Sequence, residues 1–62
     1  MQREPATWST RDRVTYYRRD AARLARMAEA ERLSAARRLL ADLARKYRRA
    51  ADRLERKMSA AA

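Results

Sequence analysis

The chain has 62 residues and contains neither cysteine nor histidine, which excludes disulfides and zinc sites built on Cys or His ligands. A chain this short buries only about 60% of its unfolded surface, so its core is expected to be marginal without a partner. The formal net charge of +9 suits an acidic partner, namely nucleic acid, an anionic membrane or an acidic protein.

The basic character has a second interpretation. All 17 basic residues except Lys46 and Lys57 are arginine. A bias towards arginine and alanine also follows from codon usage in a GC-rich genome. The composition alone leaves both interpretations open.

The first nine residues predict an extended N-terminal arm. Pro5 biases Glu4 away from the helical conformation. Ser9 or Thr10 is a suitable N-cap for the helix that follows, and Ser9 with Asp12 three residues later approximates a capping box.

Trp8 precedes this cap, and two roles are open to it. It is expected to fold back onto the first turn of the helix near Val14. The alternative is a partner-facing anchor, since exposed tryptophan is enriched at the centres of protein interfaces. Packing is the favoured interpretation.

Residues 10–30 predict the first helix. Their apolar positions are spaced alternately three and four apart, which places them on one side of an α-helix; they are Val14, Tyr17, Ala21, Leu24 and Ala28. Ala25 and Met27 widen this stripe.

A second apolar stripe follows with a different phase. Its members are Leu33, Ala36, Leu40, Leu43, Tyr47, Ala50 and Leu54, and Leu39, Ala44 and Ala51 widen it. One straight helix cannot present both stripes to the same neighbour. We therefore predict a turn near residues 30–34, a second helix over 34–58 capped by Ser34, and a C-terminal tail over 59–62. The alternative is one continuous coiled-coil helix with a local stutter.

The predicted fold is all-α, an antiparallel two-helix hairpin over residues 10–58. Its apolar stripes are wide enough for more than one neighbour, so two hairpins are expected to form a four-helix bundle. The residues expected to carry helix packing and the oligomer interface are Val14, Tyr17, Leu24, Leu33, Leu40, Leu43, Tyr47 and Leu54.

Two segments carry a resemblance to known proteins. Residues 16–21 are YYRRDA and residues 39–47 are LLADLARKY. Over about residues 14–56 the chain resembles a group of short alphaproteobacterial helical-hairpin proteins with the pattern YYRRxA and a block of the LLxLAxxY type, which is one residue longer here. In that group Thr or Ser with Pro often occupies the turn, where this chain has only Ser34. The resemblance implies a hairpin and implies no activity.

We expect no enzymatic activity. No histidine or cysteine is available as a base or nucleophile, and the serines and threonines have no evident base beside them. The acidic residues alternate with arginines, as in surface pairs three or four residues apart. A chain without glycine cannot form a glycine-rich phosphate loop, so no cofactor and no small-molecule substrate are expected.

The arginines form two rows that are candidates for phosphate contacts, because the guanidinium group binds phosphate through two parallel hydrogen bonds. The rows are Arg19, Arg23 and Arg26 on the first helix, and Arg45, Arg48 and Arg49 on the second. Solvated helix surfaces are the simpler interpretation of the same pattern. Binding to a membrane surface is less favoured, because the apolar stripes are rich in alanine and lack phenylalanine.

The sequence therefore predicts a non-catalytic helical interaction module that self-associates, as a dimer or tetramer, or docks onto a larger protein. The alternative is sequence-nonspecific binding to a DNA or RNA backbone. No apolar run approaches the roughly 20 residues of a membrane-spanning helix, and the first residues lack the apolar stretch of a secretory signal. The expected location is the cytoplasm.

Overall fold

The computed structural model describes residues 8–61. Within this range it contains two α-helices and no strand: α1 spans Thr10–Ala30 and α2 spans Ser34–Ala61. The two helices pack against each other along their length. The predicted two-helix hairpin is confirmed, and the alternative of one continuous helix is wrong.

The N-terminus of α1 is fixed by the predicted capping box. The Asp12 amide donates to the Ser9 hydroxyl oxygen at 3.1 Å, and the Ser9 amide donates to the Asp12 carboxylate at 3.3 Å. Ser9 has the extended conformation typical of an N-cap. Two amides that have no partner inside the helix are therefore satisfied by side chains.

The turn between the helices needs neither glycine nor proline, because Glu31 organises it. Glu31 leaves the helical conformation while its amide donates to the Ala28 carbonyl at 3.2 Å. Its carboxylate accepts from the amides of Arg32 and Leu33, at 3.0 and 3.1 Å. No described residue has a positive φ angle, so the turn carries no strain that only glycine would relieve.

The start of α2 differs from the predicted serine cap. Ser34 is the first helical residue. The carbonyl of Leu33 accepts the first helical hydrogen bond, from the Arg37 amide at 2.9 Å, which gives Leu33 the N-cap position. The Glu31 carboxylate already bonds to the amide before Ser34, so the turn closes without the serine hydroxyl.

The C-terminal end of the structure differs from the prediction, and most of the predicted N-terminal arm lies outside the described residues. Helix α2 continues to Ala61, beyond the predicted end at residue 58, because Ser59 is followed by alanines, the strongest helix formers. The predicted 59–62 tail is therefore helical as far as Ala61. Of the predicted arm, residues 1–7 lie outside the described part of the chain.

The seam between the helices is built mainly from small side chains. The buried residues of the described range are Val14, Ala21, Leu24 and Ala28 on α1 and Ala44 and Ala51 on α2. Ala44 and Ala51 were predicted only to widen the second stripe, yet Ala51 is 0% exposed. Small residues seven apart let two helix backbones approach closely, and this places the contact line on the alanines rather than on the leucines.

Candidate interaction site

The hairpin is a flat body of 43 × 23 × 13 Å, and its two broad faces differ in chemistry. One face, here the charged face, carries an ion-pair cluster that joins the helices. Arg18 on α1 donates to Asp52 on α2 at 3.1 Å and also to Glu55. Arg48 lies on the same face, against Ala21 and Ala22 of α1.

The opposite face carries most of the large exposed apolar side chains, interspersed with charged ones. A shallow groove at its open end lies between Tyr17 and Arg13 of α1 and Ala50 and Leu54 of α2. Residues seven apart lie on the same side of a helix, so Met27 lies in one row with Arg13 and Asp20. By the same rule Leu43 shares the side of Ala50. We call the surface formed by Tyr17, Met27, Leu39, Leu43, Tyr47, Ala50 and Leu54 the apolar face.

The largest exposed apolar side chains lie in the half of the hairpin near the turn. Met27 is 45% exposed, Leu39 is 70% exposed and Leu43 is 39% exposed. Leu33, in the turn itself, is also exposed. The packing of α1 against α2 therefore leaves large apolar side chains exposed next to the turn, and those of α2 share a groove with Asp42, Arg45, Lys46 and Arg49.

The structure divides the predicted packing residues into three groups. Val14 and Leu24 are buried between the helices. The half-buried ones are Tyr17, Leu40, Tyr47 and Leu54. Leu33 and Leu43 are exposed, so they contribute little to the packing of the hairpin itself and remain available to a partner.

An aromatic chain crosses the start of α1 and reaches α2. The ring centroids are 5.1 Å apart for Trp8 and Tyr16, 5.6 Å for Tyr16 and Tyr17, and 5.8 Å for Tyr17 and Tyr47. All three contacts are tilted, which is a favourable arrangement for aromatic quadrupoles. Trp8 thus packs on Tyr16, which lies two residues beyond the predicted contact at Val14, and stays half-buried.

The predicted phosphate-contacting arginines are all exposed, but they do not form one patch. Arg19, Arg23 and Arg26 lie along the edge of α1 that faces away from α2. Arg45 and Arg49 lie on the outward side of α2, whereas Arg48 borders α1 on the charged face.

Two of these six arginines are already engaged with acids. Arg23 pairs with Asp20 at 3.4 Å, and Arg45 pairs with Asp42. Each pair is three residues apart on one helix, as predicted for the surface acids. Among residues 8–61 the other four, Arg19, Arg26, Arg48 and Arg49, form no ion pair.

Further findings concern metal ligands, membrane-spanning helices and grooves in the described part of the chain. No three His, Cys, Asp or Glu side chains within residues 8–61 are grouped to hold a metal ion. Neither α1 nor α2 is both long and apolar enough to cross a bilayer. Shallow grooves lie beside Tyr17 and Leu54, between Arg18 and Arg48, and beside Leu39 and Leu43, where Asp42, Arg45, Lys46 and Arg49 complete the lining.

Sequence reasoning missed three features of these surfaces. Tyr16 was not singled out, although its neighbour Tyr17 and the preceding Trp8 make it the natural link between them. Arg18 was not recognised as a bridge between helices, because its partners lie 34 and 37 residues away. The exposure of Leu39 could not be predicted from the sequence, because it depends on the line of contact between α1 and α2, which follows the alanines.

Comparisons with protein-family models, with curated proteins and with solved structures find no match to this chain.

Proposed function

We propose that the chain is a non-catalytic helical interaction module, which docks through its apolar face onto another helical surface. One observation carries the proposal: four of the six buried residues within residues 8–61 are alanines, while the larger apolar side chains Met27, Leu39 and Leu43 are exposed. The hairpin thus uses its smallest apolar side chains internally and leaves large ones for contact with a partner.

The energetics support this assignment. Burying a leucine side chain fully contributes about 1.5–3 kcal/mol, whereas an alanine contributes much less because its apolar area is small. A small domain with an alanine seam therefore gains little from its own folding. Covering the apolar face adds the burial energy of several large side chains at once, so docking and folding stabilise each other.

The experiment compares the stability of two leucine variants at low protein concentration. Urea unfolding is followed by the helical circular dichroism signal. Leu24→Ala removes a buried side chain and is expected to unfold most of the hairpin, since such truncations cost about 2–5 kcal/mol. Leu39→Ala is the matched control, and it is expected to leave the midpoint nearly unchanged because Leu39 is 70% exposed.

Two results contradict the proposal. One is a monomeric hairpin at low protein concentration whose free energy of unfolding exceeds about 5 kcal/mol, a value typical of domains that need no partner. The other is a decrease in the free energy of unfolding for Leu39→Ala as large as that for Leu24→Ala, which means that Leu39 already contributes to the packing of the hairpin itself.

A second candidate function is sequence-nonspecific binding to a nucleic-acid backbone. The observation that favours it is the set of exposed arginines without an ion pair in the described range: Arg19, Arg26, Arg48 and Arg49. Because they lie on more than one side of the hairpin, they suit a flexible or wrapped polyanion better than one flat phosphate row. Such binding weakens with salt through counterion release, by a slope of about 0.9 per neutralised phosphate.

The test uses a labelled DNA duplex and two double variants that remove the same charge. The first is Arg48→Gln with Arg49→Gln, and the second is Arg18→Gln with Arg23→Gln, whose guanidinium groups already pair with acids. We expect the first pair to weaken binding more and to reduce the salt slope by about 2, one per lost phosphate contact. Equal losses mean that only the total charge matters and refute this site.

A further inference from the structure

Two grooves beside the apolar face combine apolar side chains with charges of mostly one sign. The groove near the turn is lined by Leu39, Asp42, Leu43, Arg45, Lys46 and Arg49. The groove at the open end is lined by Arg13, Tyr17, Ala50, Arg53, Leu54 and Lys57. Six of these twelve side chains are basic and one is acidic. The two grooves together therefore have a strongly positive lining around an apolar floor.

The two grooves are connected by one row of residues on α2. The members of the row follow each other at alternating spacings of four and three residues, which sets them on one side of the helix; they are Leu39, Leu43, Lys46, Ala50, Arg53 and Lys57. We call them the mixed row. It begins near the turn with two exposed leucines and ends with two exposed cations. At 1.5 Å per residue it is about 27 Å long.

The cations of the mixed row have no acidic partner in the described part of the chain. Among residues 8–61, Lys46, Arg53 and Lys57 form no ion pair. Asp42 is the acid that lines the groove near the turn, and it is paired with Arg45. Folding of the hairpin therefore leaves the charge of the mixed row to be neutralised by solvent ions or by a partner.

We infer, on the basis of the proposed interaction function, that the partner at this surface is an acidic amphipathic helix of another protein. The helix lies along the mixed row and enters the groove beside Tyr17. Its apolar side chains cover Leu39, Leu43 and Leu54, and its carboxylates face the cations of the row. The hairpin and its partner then form three packed helices, with the third held in a groove by apolar anchors and complementary charge.

A second copy of this chain fits the same surface poorly. Each copy has a formal net charge of +9. If two mixed rows are stacked in the same direction, Arg53 and Lys57 of one copy meet the same cations of the other. If the direction is reversed, these cations cover the leucines of the other copy. In both cases charged groups lose water without gaining a carboxylate.

An anionic membrane and a nucleic-acid backbone each match only part of the row. A helix that lies on a membrane keeps its apolar and basic side chains on opposite faces. Here Lys46 stands in line with Leu43 and Ala50, so insertion of the leucines draws a cation towards hydrocarbon, at a cost in free energy. Phosphates pair with the cations but gain nothing from exposed leucines. An acidic amphipathic helix matches both kinds of side chain.

The experiment uses the full chain and three fluorescent helical peptides of about 20 residues, a length that covers the row. The first peptide has a stripe of leucines flanked by glutamates. The second has glutamine at every glutamate position, and the third has alanine at every leucine position. Fluorescence anisotropy measures binding at low and high salt. We expect the first peptide to bind at least about tenfold more tightly than either control at low salt, because it alone offers both carboxylates and apolar anchors.

Matched charge changes in the chain locate the binding surface. Lys46→Gln with Arg53→Gln removes two cations of the mixed row. Arg19→Gln with Arg26→Gln removes two exposed cations from the edge of α1 that faces away from α2. We expect the first double variant to weaken binding of the first peptide by about fivefold or more, and the control by less than about twofold, at equal helical circular dichroism. Equal losses mean that the peptide responds to total charge and overturn this site.

The peptide controls separate the acidic partner from the proposed function, and they require no change in the chain. A glutamine peptide that binds as tightly as the glutamate peptide overturns the acidic partner, while the interaction module stands. An alanine peptide that binds as tightly as the leucine peptide, or no binding of any peptide up to millimolar concentration, overturns the amphipathic helix. Phosphatidylglycerol vesicles and a DNA duplex are tested on the same variants. If either binds more tightly than the first peptide and is weakened more by the mixed-row variant than by the control, the row belongs to lipid or nucleic acid instead.

Discussion

Tyr17 on α1 and Tyr47 on α2 bring their rings to a centroid separation of 5.8 Å at an interplanar angle of 45°. This contact joins the helices at the end of an aromatic chain that begins at Trp8. Because the rest of the seam consists mostly of alanines, the two tyrosines supply a large share of the apolar contact between the helices. They also mark the border between the buried seam and the apolar face.

Removal of one ring at this contact is expected to destabilise the hairpin. Tyr47→Ala should lower the free energy of unfolding by about 2 kcal/mol, because a half-buried ring loses both its area and its aromatic partner. Tyr47→Phe keeps the ring and is expected to cost less than about 0.5 kcal/mol. Urea unfolding measures both, and a phenylalanine variant as unstable as the alanine variant assigns the effect to the hydroxyl instead.

The close approach at the alanine seam can be tested by adding volume. Ala51 is fully buried, so Ala51→Leu should force the helices apart and cost about 1–3 kcal/mol. Ala35→Leu makes the same change at an exposed position of α2 and is expected to be nearly neutral. Thermal unfolding followed by circular dichroism distinguishes them; a stabilised Ala51→Leu variant shows that the seam contains unfilled space.

The capping box at the start of α1 should matter for stability and not for association. Ser9→Ala removes the acceptor of the Asp12 amide, and loss of an N-cap costs about 1 kcal/mol. Ser59→Ala is the matched control, since Ser59 lies exposed in the last turns of α2, where no such cap is formed. If both variants unfold at the same urea concentration, the capping box contributes nothing measurable.

The fold was largely accessible from the sequence because its signals are local. The change of phase between Leu24 and Leu40 favoured a turn over a continuous helix, and Ser9 with Asp12 indicated the first helix end. The contact line was harder to predict, because the apolar stripe of α2 is wider than one neighbour needs. Hydrophobicity favours Leu43 as a core residue, but the close fit of two helices favours Ala44 and leaves Leu43 outside.

The surfaces were less predictable for a related reason. Pairs such as Asp42 and Arg45 lie three residues apart on one helix and follow from spacing alone. The bridge from Arg18 to Asp52 depends on which sides of the helices meet, which the sequence did not determine. Once the alanine seam is known, helical geometry separates the charged face from the apolar face.

The bridge between Arg18 and its two acids is expected to contribute little to stability. Its side chains are 41–50% exposed, and ion pairs with this much solvent access contribute at most about 1 kcal/mol. Arg18→Gln should therefore lower the free energy of unfolding by less than that, and the loss should disappear in about 1 M salt. Arg19→Gln, which breaks no ion pair in the described range, serves as the control, and a larger, salt-independent loss at Arg18 assigns its role to packing of the alkyl chain.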